Sequence, residues 1–342
     1  MTLPALPSQP AGVPWPTERW PEGAPRADAA RLAKVVAEAF GPAASPALGE
    51  TRALVVIQGG RLVLERYAEG FGPEMTYKSW SMAKSITQAL VGILVGDGRI
   101  DIHAPADVPE WTAPGDPRGA ITLDQLLRMV SGLAFVEDYR PDQESDVIEM
   151  LFGRGQHDVA HFAADMPLER APGTFWAYSS GTTNIIARCA ARSAGAFGPD
   201  FESFMRRRLF APIGMTTPAP KFDDAGVFIG SSFCFCSARD FARFGLLYLR
   251  GGVWDGRRLL PEGWVDYART PTPRQPTDDQ AYGAQWWLDL AGPGSFSAQG
   301  YEGQYICIVP ELDLIVVRNG LTPLELKDNP KAWIARLVDC FR

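Results

Sequence analysis

The sequence predicts an α+β fold: one antiparallel sheet built from both chain ends, with flanking helices and an inserted, mostly helical lobe. Three observations predict it. Two β-rich runs flank Gly59–Gly60 near the start, and two more flank a short turn around Glu311 near the end. Between them lies a long middle of helical periodicity and loops. Helices are also read outside each hairpin, so strands from the two ends can pair while the middle packs against them.

Taken in order, residues 1–26 are proline-rich and predict an extended arm lying on the body. "ADAARLAKVVAEAF" (27–40) places Leu32, Val35, Val36 and Phe40 at helical spacing. "ALVVIQGGRLVLERYA" (53–68) is the first hairpin. After "SWSMAKS" (79–85), Ile86, Leu90, Ile93 and Leu94 keep a 3.6-residue period, and Gly96 and Gly98 end that helix. "TLDQLLRMVSGL" carries a capping box, Thr122 with Gln125, and Gly132 is expected just past its C-terminus. "GTTNIIARCAARSAG" and "SARDFARFGLLYLRGG" (237–252, with Ser237 as N-cap) are further amphipathic helices. "QYICIVP" and "LDLIVVRN" form the second hairpin, and "KAWIARLVDCF" closes the chain as a helix. The expected organisation is an arm over 1–26 and one catalytic domain over 27–342. Its sheet lobe spans about 27–80 and 253–342, and its helical lobe about 81–252.

Composition excludes several functions. With 46% hydrophobic and 21% charged residues the chain is an ordinary globular protein. A net charge of −7 argues against a nucleic-acid surface. No run approaches the ~20 apolar residues of a membrane span. "MTLPALPSQPAGVPWP" lacks the basic and apolar regions of a signal peptide. Five cysteines, mostly inside apolar stretches, read as reduced core thiols, and the cytoplasm is the expected location. His157 and His161 in "HDVAH" have the i, i+4 spacing of a metal pair, but Asp158 stands where a His-Glu-x-x-His site has glutamate. A partly exposed helix is the expectation, with no metal and no cofactor. Three histidines also leave a Ser-His-Asp triad without a recognisable context.

The candidate chemistry lies in "SWSMAKS". Ser81 and Lys84 stand three apart at a helix start, hence on one face about 5–6 Å apart. Serine needs an adjacent base to be a nucleophile, and a lysine becomes one when burial favours its neutral amine. The spacing alone is weak: 16 serines and 6 lysines in 342 residues give about 0.3 such pairs by chance. A second tract, "GTFWAYSSGTTN", places Tyr178 and Ser180 at another helix start, where a tyrosine facing a lysine can relay a proton.

"SWSMAKSITQALVGILVGDGRIDI", "VPEW", "LLRMVSGL", "YSSGTTN", "CSARDFARFGLLYLRGG" and "GYEGQYICIVPELDLIVV" occur in that order. Over about residues 28–342 the sequence resembles the serine β-lactamase and penicillin-binding-protein superfamily. Within it, the likeness is to the class C-like esterase and 6-aminohexanoate-oligomer hydrolase branch. The resemblance implies a β-lactamase/transpeptidase-like fold. It matches Ser81 to the acylating nucleophile, Lys84 to its partner, and Tyr178 to the tyrosine of Tyr-x-Asn, with Ser180 in the third place. Tyr178 would take the Ser81 proton through Lys84 and pass it to the leaving group. It further implies an oxyanion hole from the backbone N–H groups of Ser81 and Tyr301, and a substrate contact from Tyr139. Trp286 and Trp287 are candidate pocket walls, one of them expected in the core. The family's Lys-Thr-Gly is replaced by Ala298-Gln299-Gly300, which places Gln299 and Gly300 beside the substrate and removes the usual carboxylate handle. No glutamate of the helical middle is singled out as a deacylating base. The expected function is a serine hydrolase acting on a small-molecule ester or amide. Its rivals are a β-lactamase or D-alanyl-D-alanine peptidase, an acyltransferase, and a non-catalytic binding protein on this scaffold. The oligomeric state is left open.

Overall fold

A computed structural model describes residues 3–140, 142–277 and 280–342. Among the described residues six strands form one antiparallel sheet: β1 (Glu50–Gln58), β2 (Arg61–Tyr67), β3 (Trp287–Leu288), β4 (Phe296–Gly300), β5 (Gln304–Val309) and β6 (Leu314–Leu321), in the order β2-β1-β6-β5-β4-β3. The two chain ends meet at the centre, where Val55 pairs with Val317 and Ile57 with Ile315. Side chains alternate between faces along a strand. Leu54, Val56, Cys307 and Val316 therefore share one core with α1 (Ala29–Ala37) and the C-terminal helix, whereas Val55, Ile57, Ile306 and Val317 face the helical lobe. Both faces are covered, which is why β1 reads as an unbroken apolar run.

The lobe is organised by two helices. α2 (Ala83–Gly96) is buried from Ala83 to Leu94, and α3 (Ser180–Ala194) from Ser180 to Ala191. They pack against each other, and their N-termini converge below the sheet edge. α4 (Ala238–Leu249), capped by the Ser237 hydroxyl, fills the space between sheet and lobe, and α5 (Asn329–Val338) closes the far face. The arm is irregular but anchored. Trp20 is buried, Arg243 donates to the Pro16 carbonyl at 2.8 Å, and Arg269 donates to that of Pro4 at 2.7 Å.

One element ends earlier than its sequence suggests. The Thr122/Gln125 capping box is present, but the helix covers only Leu123–Leu127. Met129, at φ +59°, makes the left-handed turn that Gly132 was expected to make. Gly132 is also left-handed, at φ +79°, but lies past the helix end, where a Cβ would come within 2.1 Å of the Arg170 carbonyl. It permits the close approach that lets Leu133 bridge Leu168.

The β4–β5 turn, which borders the site, is held from below by Arg318. This fully buried side chain donates to the carbonyls of Gly303 (2.6 Å) and Leu48 (2.8 Å) and to the hydroxyls of Thr51 and Thr322 (both 3.1 Å). Replacing it with methionine would strand the Gly303 carbonyl and the Thr51 hydroxyl at about 1–3 kcal/mol each, while the Leu48 carbonyl would still accept from the Thr322 hydroxyl at 2.6 Å. R318M is expected to lose about 3 kcal/mol, read from its denaturation midpoint, and an unchanged midpoint would show that the turn does not depend on this side chain.

Candidate active site

The chain reaches the start of α2 through a kink. Trp80 adopts φ +43°, and a single 3₁₀ turn (Trp80–Met82) presents Ser81 before the regular helix begins. A non-glycine residue in this region costs about 1–3 kcal/mol, so its surroundings must fix it. They do so on two sides. The Trp80 indole N–H donates to the Glu302 carboxylate at 2.7 Å, and the Ser79 hydroxyl bridges the Ser232 carbonyl (3.0 Å) and the Cys234 N–H (2.9 Å). β4 presses on the same kink. A Cβ on Gly300 would sit 2.3 Å from the Ser79 carbonyl, so the strand passes this close only because residue 300 has no side chain. Tyr301 follows directly, its ring edge-on to that of Trp80 at 5.5 Å.

Ser81 is partly exposed on a cavity of about 370 Å³, an ordinary size for a small-molecule site. Lys84, one turn on, is 1% exposed. Its Nζ lies 3.0 Å from Ser81 Oγ, 2.9 Å from Ser180 Oγ and 3.0 Å from the Ser231 carbonyl, and 4.8 Å over the Tyr178 ring. Burial disfavours the ammonium and pushes the Lys84 pKa down to about 8, against an opposing upward pull from Glu137. Tyr178 precedes the N-cap of α3, Ser179, whose hydroxyl accepts from Thr182 N–H at 3.0 Å. Ser81, Lys84, Tyr178 and Ser180 thus come together where the two buried helices begin.

Tyr139, Gln299, Gly300, Tyr301 and Trp287 all line the cavity. Tyr139 stacks on Tyr301 at 5.1 Å, and Trp287 packs against Tyr178 at 5.3 Å. Trp286 does not line it, which corrects its place among the substrate contacts. It is fully buried against Tyr248, Phe244 and Phe296. Two neighbours on an extended segment point to opposite faces, and only one of them reaches the cavity. Ala298, in the place of the family lysine, is buried in the main core. Gln299 donates to Gln280 (2.8 Å) and Ser297 (2.9 Å).

Three participants escaped the sequence reading. The Ser231 carbonyl is a backbone atom with no residue signature. Trp176, two residues before Tyr178, lines the cavity and packs on Trp287 and Tyr282. Its presence in "FWAYSS" was the available signal. Glu137, beside Tyr139 in "FVEDY", accepts from the Ser180 N–H (2.7 Å), the Ser180 hydroxyl (2.6 Å) and the Tyr139 hydroxyl (2.5 Å). Nothing local marked it, because the contact joins segments 43 residues apart. The candidate metal pair separates: His157 meets Asp224 (2.5 Å), and His161 meets Glu110 (2.7 Å). No group of three or more metal-ligating side chains occurs among the described residues, and no helix of theirs is long and apolar enough to cross a membrane.

A family model described as Beta-lactamase matches residues 49–337. The chain belongs to the beta-lactamase family. A 6-aminohexanoate-dimer hydrolase from Paenarthrobacter ureafaciens is 28% identical over 287 residues, 78% of this chain and 72% of that protein. Among solved structures, a penicillin-binding-protein homologue from Caulobacter crescentus shares the fold with a TM-score of 0.71 at 18% identity, covering 94% of this chain and 99% of the other. A family VIII carboxylesterase does so with a TM-score of 0.70 at 15% identity, again over 94% and 99%. The fold is thus β-lactamase/transpeptidase-like, and the protein is a serine hydrolase of this family.

The Lys84 environment gives a pH dependence. A base must be neutral, and Lys84 is protonated below its pKa of about 8. kcat/KM for a neutral ester should fall tenfold per pH unit below about 8 and level off above it. A profile flat from pH 6 to 9 would contradict a lysine base.

Proposed function

We propose that the protein hydrolyses a small ester or amide through an acyl-enzyme on Ser81. One observation carries this reading: a buried lysine of lowered pKa stands 3.0 Å from a serine hydroxyl on the wall of a cavity. Lys84 takes the Ser81 proton as Oγ attacks the carbonyl carbon. Tyr178, whose ring lies under the Lys84 amine, carries the proton to the leaving alcohol or amine. The backbone N–H groups of Ser81 and Tyr301 hold the oxyanion, since β4 delivers Tyr301 against the Ser81 kink. Water then enters, the Lys84–Tyr178 pair activates it, and the acyl group leaves. Tyr139 borders the acyl and leaving-group positions, with Trp287, Gln299 and Gly300 as further walls, whereas Ser180 is buried behind Lys84 and is not a substrate contact.

The absence of a lysine at 298 favours a substrate without a carboxylate beside the scissile bond, as in esters and linear amides. The names of the 6-aminohexanoate-dimer hydrolase and the carboxylesterase support the same class. Residues 27–342 act as one catalytic unit, with 1–26 strapped to it by Arg243 and Arg269. Five buried free thiols suit a reducing compartment such as the cytoplasm.

S81A should lose p-nitrophenyl ester hydrolysis by at least ~10³-fold and lose the mass increment that a fluorophosphonate adds to the wild type. Retained turnover in S81A would overturn the assignment. Stable labelling of the wild type by fluorescent penicillin at low concentration would move the substrate class to β-lactams.

A further inference from the structure

We propose that Glu137 is a positioning residue that aims the lone pair of Lys84 at Ser81 by holding the Ser180 proton. The inference rests on the reading of Lys84 as the base. It follows from counting protons among four groups. A serine hydroxyl has one proton to donate, a carboxylate and a carbonyl only accept, and a neutral amine has two N–H bonds and one lone pair. The Ser180 hydroxyl lies 2.6 Å from Glu137 Oε1 and 2.9 Å from Lys84 Nζ. Its proton goes to the carboxylate, so toward Lys84 it can only accept. The Ser231 carbonyl, 3.0 Å from Nζ, can also only accept. These two acceptors take the two N–H bonds of the neutral amine. The lone pair is left facing the third neighbour, Ser81 Oγ, at 3.0 Å.

Glu137 is itself held for this task. Its Oε2 accepts the Ser180 backbone N–H at 2.7 Å, so one carboxylate grips both backbone and side chain of the residue that starts α3. The Tyr139 hydroxyl donates to Oε1 at 2.5 Å. The loop carrying Glu137 is pinned by the Asp146 carboxylate, which accepts from Val136 N–H at 2.8 Å. Without the carboxylate, the Ser180 proton is free to turn to the Lys84 nitrogen and occupy the lone pair that Ser81 needs. The polar groups around Lys84 are Ser81 on its own helix, Ser180 on α3, the Ser231 carbonyl, the Tyr178 ring, and Glu137 with Tyr139 beyond Ser180. Of these, the Glu137 charge pulls the Lys84 pKa upward and so opposes the effect of burial.

E137Q makes the test sharp. The amide oxygen is needed by the Ser180 N–H, which places the NH₂ group against the Ser180 hydroxyl and drives that proton toward Lys84. The expected result is a drop of at least ~10-fold in the plateau kcat/KM for a p-nitrophenyl ester, with an unchanged melting temperature. The acid limb should move to lower pH because the carboxylate charge is gone. S180A should lower the plateau too, and in an S180A background E137Q should cost little more, because both act through one hydroxyl. An E137Q plateau and limb equal to the wild type, or losses that multiply in the double variant, would overturn the proposal. Failure of the underlying reading looks different: the wild type itself would take no fluorophosphonate at Ser81, whatever residue 137 is.

Discussion

Everything around the site depends on one buried amine. Lys84 is a long cationic side chain at the centre of the helical lobe, and an uncompensated charge there would be too costly to keep. Three oxygens compensate it, from Ser81, Ser180 and Ser231, at 2.9–3.0 Å. They belong to three stretches of chain spanning 150 residues, so the amine is satisfied only when α2, α3 and the 230–232 segment are all in place. The same burial that makes Lys84 expensive lowers its pKa to about 8, as the proposed base role requires. Stability and chemistry therefore draw on one desolvation.

The sheet contributes on the opposite side. β4 is pressed onto the Ser79–Trp80 kink because Gly300 has no side chain, and Arg318 holds the following turn from beneath. Trp80 can then keep φ +43°, since Glu302 on that turn takes its indole N–H. A hydrogen bond to a charged group contributes about 1.5–3 kcal/mol, comparable to the cost of the strained backbone. Ser81 is thus held by contacts from both sides. Five of the lining side chains are aromatic, Tyr139, Trp176, Tyr178, Trp287 and Tyr301, and the wall formed by the C-terminal segment carries Lys327 and Lys331. Such a lining gives grip on an apolar or planar group, while the core position of Ala298 leaves that strand without a cation.

Much of this was legible in the sequence. The hairpins declared themselves through Gly59–Gly60 and paired apolar runs, and Ser237 and the Thr122/Gln125 box mark real helix starts. That Ser81, Lys84 and Tyr178 meet in space was legible because the proposed chemistry needs particular residues at helix starts. What stayed hidden came from long-range packing. Period-two alternation says that Trp286 and Trp287 point opposite ways but not which faces the cavity. Gly132 looked like a helix stop because glycine's turn and close-approach roles are indistinguishable without the neighbouring Arg170 carbonyl. Glu137 sits in an acidic loop, and only the folded chain brings it to Ser180.

The proposed mechanism requires that burial turn Lys84 into a base. With six lysines in the chain, ¹³Cε-lysine labelling and NMR titration can follow each amine directly, with K84R identifying the resonance. The resonance absent from K84R should titrate near pH 8, well below the ordinary lysine value of about 10.4. If that resonance titrates near 10.4 instead, Lys84 is a fully charged lysine and the mechanism built on it is wrong.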